Sequence, residues 1–239
     1  MTRKLLVVLF ASIHLVGCMA PRPITMSCST MRASAIAEPG QRMELGDFSV
    51  AAPKGEGWCL APRNSNQIAF GTHPLMGQYI EKPEPSMGRN TVVLAAQKLR
   101  LRAAGFDSAA DFQQFARDWI TSGMGVNFSG PEPIVSDTTN PRFKMVRSEI
   151  APDLSMKLDC VRYEYFGEER DNPKAPKTVL IQTNHGVICR HATAPHHLVL
   201  LSLSERHERG KQIDPDLFQR LEDRDAKPFF GSLEFSQAD

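Results

Sequence analysis

The sequence predicts an α+β fold, an antiparallel sheet with helices on its faces in an α/β/α sandwich. Three observations carry this expectation. Segments of strand character follow one another at Phe143–Ile150, Lys157–Phe166, Thr178–His191 and His197–Arg206, with no helical pattern between them. Runs of this kind argue for antiparallel neighbours, not for the alternating strands and helices of a parallel sheet. Two amphipathic helices are legible, one before these strands and one after. Leu198-Val199-Leu200-Leu201 is apolar without alternation, as in a central strand covered on both faces.

In chain order, Asp47-Phe48-Ser49-Val50-Ala51-Ala52-Pro53 alternates and stops at a proline, as a first strand would. Trp58-Cys59-Leu60 and Gln67–Gly71 read as short strands, and Thr91–Leu99 as a longer one. Pro83–Asn90 reads as a loop. The clearest helix is Ala109–Thr121. Ser108 is a good N-cap because its hydroxyl can accept an unpaired backbone N–H, and Asp111 stands at the capping-box position. Phe112, Phe115, Ala116, Trp119 and Ile120 fall on one helical face, suited to packing on a sheet. Gly123–Gly130 resembles a phosphate loop but lacks its spacing and lysine, so it reads as a helix stop and a loop. The loop extends through Ser129–Pro141. Thr178–His191 is expected to bend near His185-Gly186. Asp214 caps a last helix with Pro215 at its first position, and Phe229–Phe235 closes the chain as a turn and strand.

The segment before the domain has a different character. Arg3 and Lys4 precede an apolar run from Leu5 to Val16, the layout of a secretory signal. The run ends in Leu15-Val16-Gly17-Cys18, which resembles the lipobox of bacterial lipoproteins. The resemblance implies cleavage between Gly17 and Cys18 and acylation of Cys18, which anchors the chain in a lipid bilayer. The expected organisation is therefore 1–17 signal peptide, 18–44 lipidated cysteine and flexible tether, and 45–239 a single globular domain. A flexible coil of roughly 25 residues reaches about 25–30 Å. Met19 stands where the common sorting scheme reads an inner-membrane aspartate, which implies the outer membrane, facing the periplasm.

Composition excludes some classes. The 239-residue chain carries a net charge of +1, and loss of Arg3 and Lys4 with the signal leaves −1. Nucleic-acid binding needs a basic footprint, and none is visible. No cofactor motif is present.

Five cysteines are present: Cys18, Cys28, Cys59, Cys160 and Cys189. With Cys18 lipidated, four remain, which allow three pairings in a compartment where disulfides persist. Cys28 can staple the tether to the domain at Cys59. Cys160 and Cys189 lie on consecutive predicted strands and are candidates for a second bridge if the register permits. Free thiols and a redox pair are the alternatives.

His185, His191, His196, His197 and His207 crowd one region, which makes a metal site conceivable, with His191 and His197 as candidates. No recognised ligand spacing appears, and His196 and His197 must point to opposite faces of a strand. Ser202 and Ser204 lack a nucleophile elbow, and Trp58-Cys59 lacks the surroundings of a papain-like thiol. Glu164, Glu168 and Glu169 read as solvated charge near a turn, and Ser204–Arg209 as a polar strand end or a contact rim.

The order of elements resembles the PsbP-like (Mog/PsbP) sandwich. The landmarks are Phe48–Pro53, the Ser108–Thr121 helix, the Leu198–Ser204 strand and the closing Ser232-Leu233-Glu234-Phe235. Lipoproteins with a strand cysteine followed by Gly-x-x-Cys-x-His are also similar, here Cys160 and Gly186–His191. The resemblance implies binding and assembly with another envelope protein more than catalysis. The alternative is a periplasmic enzyme, or a protein binding a small ligand or metal, centred on Cys59 or the His185–His207 region.

Overall fold

A computed structural model describes residues 35–55, 58–61, 65–72, 91–101, 105–122, 124–127, 134–139, 141–153, 156, 158–172, 176–191, 193–211 and 215–236. Thirteen strands, three α-helices and one π-helical turn are present among them. The early strands are β1 (Ala35–Ile36), β2 (Arg42–Leu45), β3 (Phe48–Ala51), β4 (Cys59–Leu60), β5 (Gln67–Thr72) and β6 (Thr91–Arg100). Helix α1 (Ala109–Ser122) follows, then β7 (Met124–Asn127) and β8 (Ile134–Thr139). The long strands are β9 (Phe143–Pro152), β10 (Cys160–Glu169), β11 (Leu180–Arg190) and β12 (His197–Glu208). The chain closes with α2 (Pro215–Leu221), a π-helical turn (Glu222–Ala226), α3 (Lys227–Gly231) and β13 (Glu234–Phe235).

Ten strands form one sheet, whose main path runs β1-β4-β5-β6-β12-β11-β10-β9. All its pairings are antiparallel except one parallel bridge between β6 and β8. The fold is therefore α+β with an antiparallel sheet, as the runs of strands predict. A second sheet, β13-β3-β2, has three strands. No helix among the described residues is long and apolar enough to cross a membrane.

Strand β12 sits between β6 and β11, and its apolar run serves two cores at once. Val199, Leu201 and Leu203 join one buried cluster, while Leu198 and Leu200 face the other. The second cluster is closed by α1 through Phe112, Ala116, Trp119 and Ile120. Ser108 caps this helix: its Oγ accepts the Asp111 N–H at 3.1 Å and donates to the Asp111 carboxylate at 2.7 Å. The first cluster is closed by the C-terminal helices, through Phe218, Leu221, Ala226 and Phe229, together with the small sheet, through Phe48 and Val50. Helical cover thus lies on both faces, and the two sheets share a core.

Several expectations change. Residues 18–44 were expected to be tether, but within the described residues the chain enters the fold at Ala35. Ala35 and Ile36 pair with Leu60 and Cys59, and the buried Ala37 donates its N–H to the Trp58 carbonyl. A two-residue strand has too few positions to show a period, so the domain boundary expected at residue 45 moves back to at least residue 35. Met124–Asn127 and Ile134–Thr139 are strands within segments whose glycines and prolines read as loop. Phe229 and Phe230 belong to α3, which leaves Glu234–Phe235 alone as the closing strand. Strand β11 pairs without interruption from Leu180 to Arg190, through His185-Gly186. Gly186 is there for space: a Cβ would lie 2.2 Å from the Leu201 carbonyl oxygen and 2.6 Å from the Tyr163 hydroxyl. Cys18, Cys28, the signal segment and the Asp214 cap lie outside the described residues.

Strand β9 ends the large sheet among the described residues. Its pairing slips between Met145 and Arg147, so that Val146 is an extra residue, 53% exposed.

Candidate functional site

A cleft of about 970 Å³ lies between the C-terminal helices and the β10–β11 half of the large sheet. One wall follows the helices from Glu222 through Lys227 and Phe230 to Leu233 and Phe235. The opposite wall is His185, Gly186 and Val187 on β11, Arg162 on β10, and Asp153, Met156 and Leu158 from the β9–β10 connection. Both walls exist because the sheet face here is left uncovered by α1, which packs on β9 and β10 from the other side.

The cleft is organised around the His185–Glu222 pair. His185 Nδ1 lies 2.9 Å from Glu222 Oε2, and the Phe218 ring meets the imidazole edge-on at 5.0 Å. The hydrogen bond from His185 holds the Glu222 carboxyl below its usual range; burial opposes this, and the charges of His185, Lys227 and Arg162 reinforce it. Glu222 is therefore ionised at neutral pH and only accepts, so the hydrogen bond between them is donated by His185 Nδ1–H. Nε2 lies 4.0 Å from Glu164 Oε2. Arg162 Nη2 bridges the carboxylates, 2.9 Å from Glu164 and 3.7 Å from Glu222. An imidazole oriented in this way can act as a general base. Among the described lining residues there is no hydroxyl or thiol for it to activate.

The π-helical turn makes this aim possible. The Lys227 N–H bonds to the Glu222 carbonyl, five residues back, and the widened turn sends two buried acids to different partners. Glu222 reaches His185. Asp225, fully buried, accepts from the Gly55 N–H at 2.8 Å, Trp58 Nε1–H at 3.0 Å and Arg224 Nη2–H at 2.6 Å. π turns of this kind concentrate at functional sites.

Cys160 and Cys189 are directly opposed in the β10–β11 register and joined by a disulfide, with Cα atoms 4.1 Å apart. Both are buried in the core beneath the helical cover of the cleft. Cys59 is buried and disulfide-bonded as well, to a partner outside the described residues. It has no thiolate to offer as a nucleophile.

The remaining histidines do not converge on the cleft. His191 is buried, and its Nδ1 accepts the Thr193 and Ala194 N–H groups at 3.2 and 3.0 Å. Its proton is therefore on Nε2, which faces the Asp47 carbonyl at 3.3 Å and carboxylate at 3.4 Å. His197 Nδ1 approaches the same carboxylate at 3.4 Å, and Lys98 Nζ binds it at 2.9 Å. Burial pushes the Asp47 carboxyl up, but the Lys98 hydrogen bond and charge outweigh it and hold the group low. The two candidate metal ligands thus meet around an anion already neutralised by an ammonium. Among the described residues no three His, Cys, Asp or Glu side chains are grouped to hold a metal ion. This cluster ties the β2–β3 turn to the ends of β6, β11 and β12. His207 lies elsewhere, buried 2.9 Å from Glu205. Glu168 and Glu169 bind Arg209 and Arg206, each at 2.5 Å, and form a surface ion-pair network.

Sequence reasoning found His185 within its histidine region and Glu164 among its carboxylates. It missed Glu222, Arg162 and Lys227. No local pattern announces a π turn, and Glu222 lies 37 residues from His185.

The fold and the site define an α+β domain with an open cleft between its sheet and its last helices. No family model matches the chain, and no curated protein does.

Proposed function

We propose that this chain is a lipid-anchored envelope lipoprotein whose domain works by binding a second envelope component, not by catalysis. The observation that carries this is the cleft: a groove lined by apolar side chains together with charged groups that are held in ion pairs, Glu222 with His185, Arg162 with Glu164, Lys227 with Asp223 and Glu234 with Arg42. Binding clefts commonly combine apolar walls with a few fixed polar groups. The Leu15–Cys18 lipobox supports attachment at Cys18 and a location on the outer membrane, facing the periplasm. Helical cover on both faces of an antiparallel sheet supports a PsbP-like sandwich, a type associated with binding and assembly. The competing reading, a periplasmic enzyme, draws on the carboxylate-held imidazole of His185.

The test is photocrosslinking in intact cells from positions in the cleft. A photoreactive residue at Lys227 or Phe230 is expected to form a defined adduct, and one at Asp118 on α1 is not. Equal adducts from both places, or none from the cleft, contradict binding there. Replacing Cys18 with Ala is expected to release the protein from membranes, and continued tight association contradicts the anchor.

A further inference from the structure

The cleft holds more negative charge than positive. Asp153, Glu222 and Glu234 line it, against Arg162 and Lys227. Both cations are already engaged. Arg162 lies between Glu164 and Glu222, and Lys227 binds Asp223 at 2.6 Å. Arg42, outside the lining, pairs with Glu234. Glu164 and Asp223 thus join the three acids of the lining, and among the described residues five carboxylates stand against three cations. A charged His185 would still leave the acids in excess. Such a field favours an incoming cation and penalises an anion.

Between these charges the walls are apolar, with Met156, Leu158, Val187, Phe230, Leu233 and Phe235. The backbone adds a third feature. Strand β13 lines the cleft through Glu234 and Phe235, and among the described residues it ends the small sheet, paired on one side only with β3. The free side of an edge strand presents N–H and C=O groups, with which an extended chain can pair. Successive side chains of an extended chain point to opposite faces, so one segment can offer apolar groups and cations in alternation.

We propose that the occupant of the cleft is an extended, basic segment of a second envelope protein. It adds to the edge of β13, sets apolar side chains against Leu158 and Phe230, and brings lysine or arginine to Asp153 and Glu234. This inference rests on the reading of the cleft as a protein-binding site and specifies the segment it takes.

The experiment measures fluorescence anisotropy of labelled peptides on the full chain in neutral detergent. The probes are a short peptide of alternating valine and lysine and its valine–glutamate counterpart. The lysine peptide is expected to bind at least about tenfold more tightly, a difference of about 1.4 kcal/mol. Two N-methylated lysine peptides, one blocked at its valines and one at its lysines, each keep a single pairing edge, so one is expected to bind and the other to lose at least about tenfold. Asp153→Asn with Glu234→Gln is expected to weaken the lysine peptide, and Lys227→Gln to strengthen it, with urea midpoints confirming that both variants fold. Equal or tighter binding of the glutamate peptide, equal binding of the two N-methylated peptides, or weaker binding after Lys227→Gln overturns the proposal. So does an in-cell adduct from Lys227 or Phe230 that joins the cleft to this chain's own residues 18–34 or to a second copy. If those adducts carry another protein but the peptides show no preference for lysine, the cleft binds a protein and the basic segment is overturned alone. If no peptide binds and no adduct forms, both readings fall.

Discussion

At the scale of the residue, two side chains and one missing side chain set the cleft. Glu222 has a folded-state pKa below its unfolded value near 4.3. The stability it contributes is present above that value and is lost as pH falls through the folded pKa. Asp47, also lowered, acts in the same acid window. Urea unfolding of wild type and Glu222→Gln should differ most at neutral pH and converge below about pH 4. A difference that grows on acidification would contradict the assigned ionisation. Gly186 has no room for a methyl group, because the nearest atom is a backbone oxygen of the neighbouring strand. Gly186→Ala should cost about 2–3 kcal/mol, and an unchanged urea midpoint would contradict that crowding. Neither role was legible in the sequence. A glycine in a strand signals close approach without naming the neighbour, and the Glu222–His185 contact spans the sheet and the helices.

At the scale of the element, the π-helical turn is the part on which the site depends. It links α2 to α3 and, through Asp225, fastens both to Gly55 and Trp58. Replacing Asp225 with Ala strands two donors, one of them the buried indole N–H. The expected loss is about 3 kcal/mol, with Asp225→Asn costing less because it keeps a carbonyl acceptor. Calorimetry checks this, and equal melting of the Ala variant and wild type would show that the turn is held in another way. Elements with dense local signals were legible: α1 through Ser108 and its apolar face, and β12 through its unbroken apolar run. Strands β1, β7 and β8 were not, because short strands borrow their stability from distant partners and leave little period behind. The start and cap of the last helix read as helix, but its continuation to Gly231 passes through Glu222-Asp223-Arg224-Asp225, a charged stretch that looks like a loop.

At the scale of the whole molecule, the fold class followed from the succession of strands, and the cysteines decide how the chain is fastened. The Cys160–Cys189 bridge closes a loop of 29 residues. Its removal by paired Ser substitution should cost about 3–4 kcal/mol in the chain-entropy model, readable as a shift in urea midpoint. For Cys59, peptide mapping without reduction should find Cys28 as its partner, because only that pairing leaves Cys18 for lipid. A Cys18–Cys59 peptide would contradict both the anchor and the pairing. Val146 bears on how copies of the chain would meet edge to edge. β9 is ten residues long and ends the large sheet among the described residues, and a flat edge of that length invites another strand to add on. The extra residue bends the edge and interrupts the ladder that an incoming strand would copy. Deleting Val146 should straighten β9 and turn a dispersed protein into one that grows into higher-order species in light scattering as concentration rises. A deletion variant that stays dispersed would show that the edge is guarded by its charges, Lys144, Arg147 and Glu149, and not by its shape.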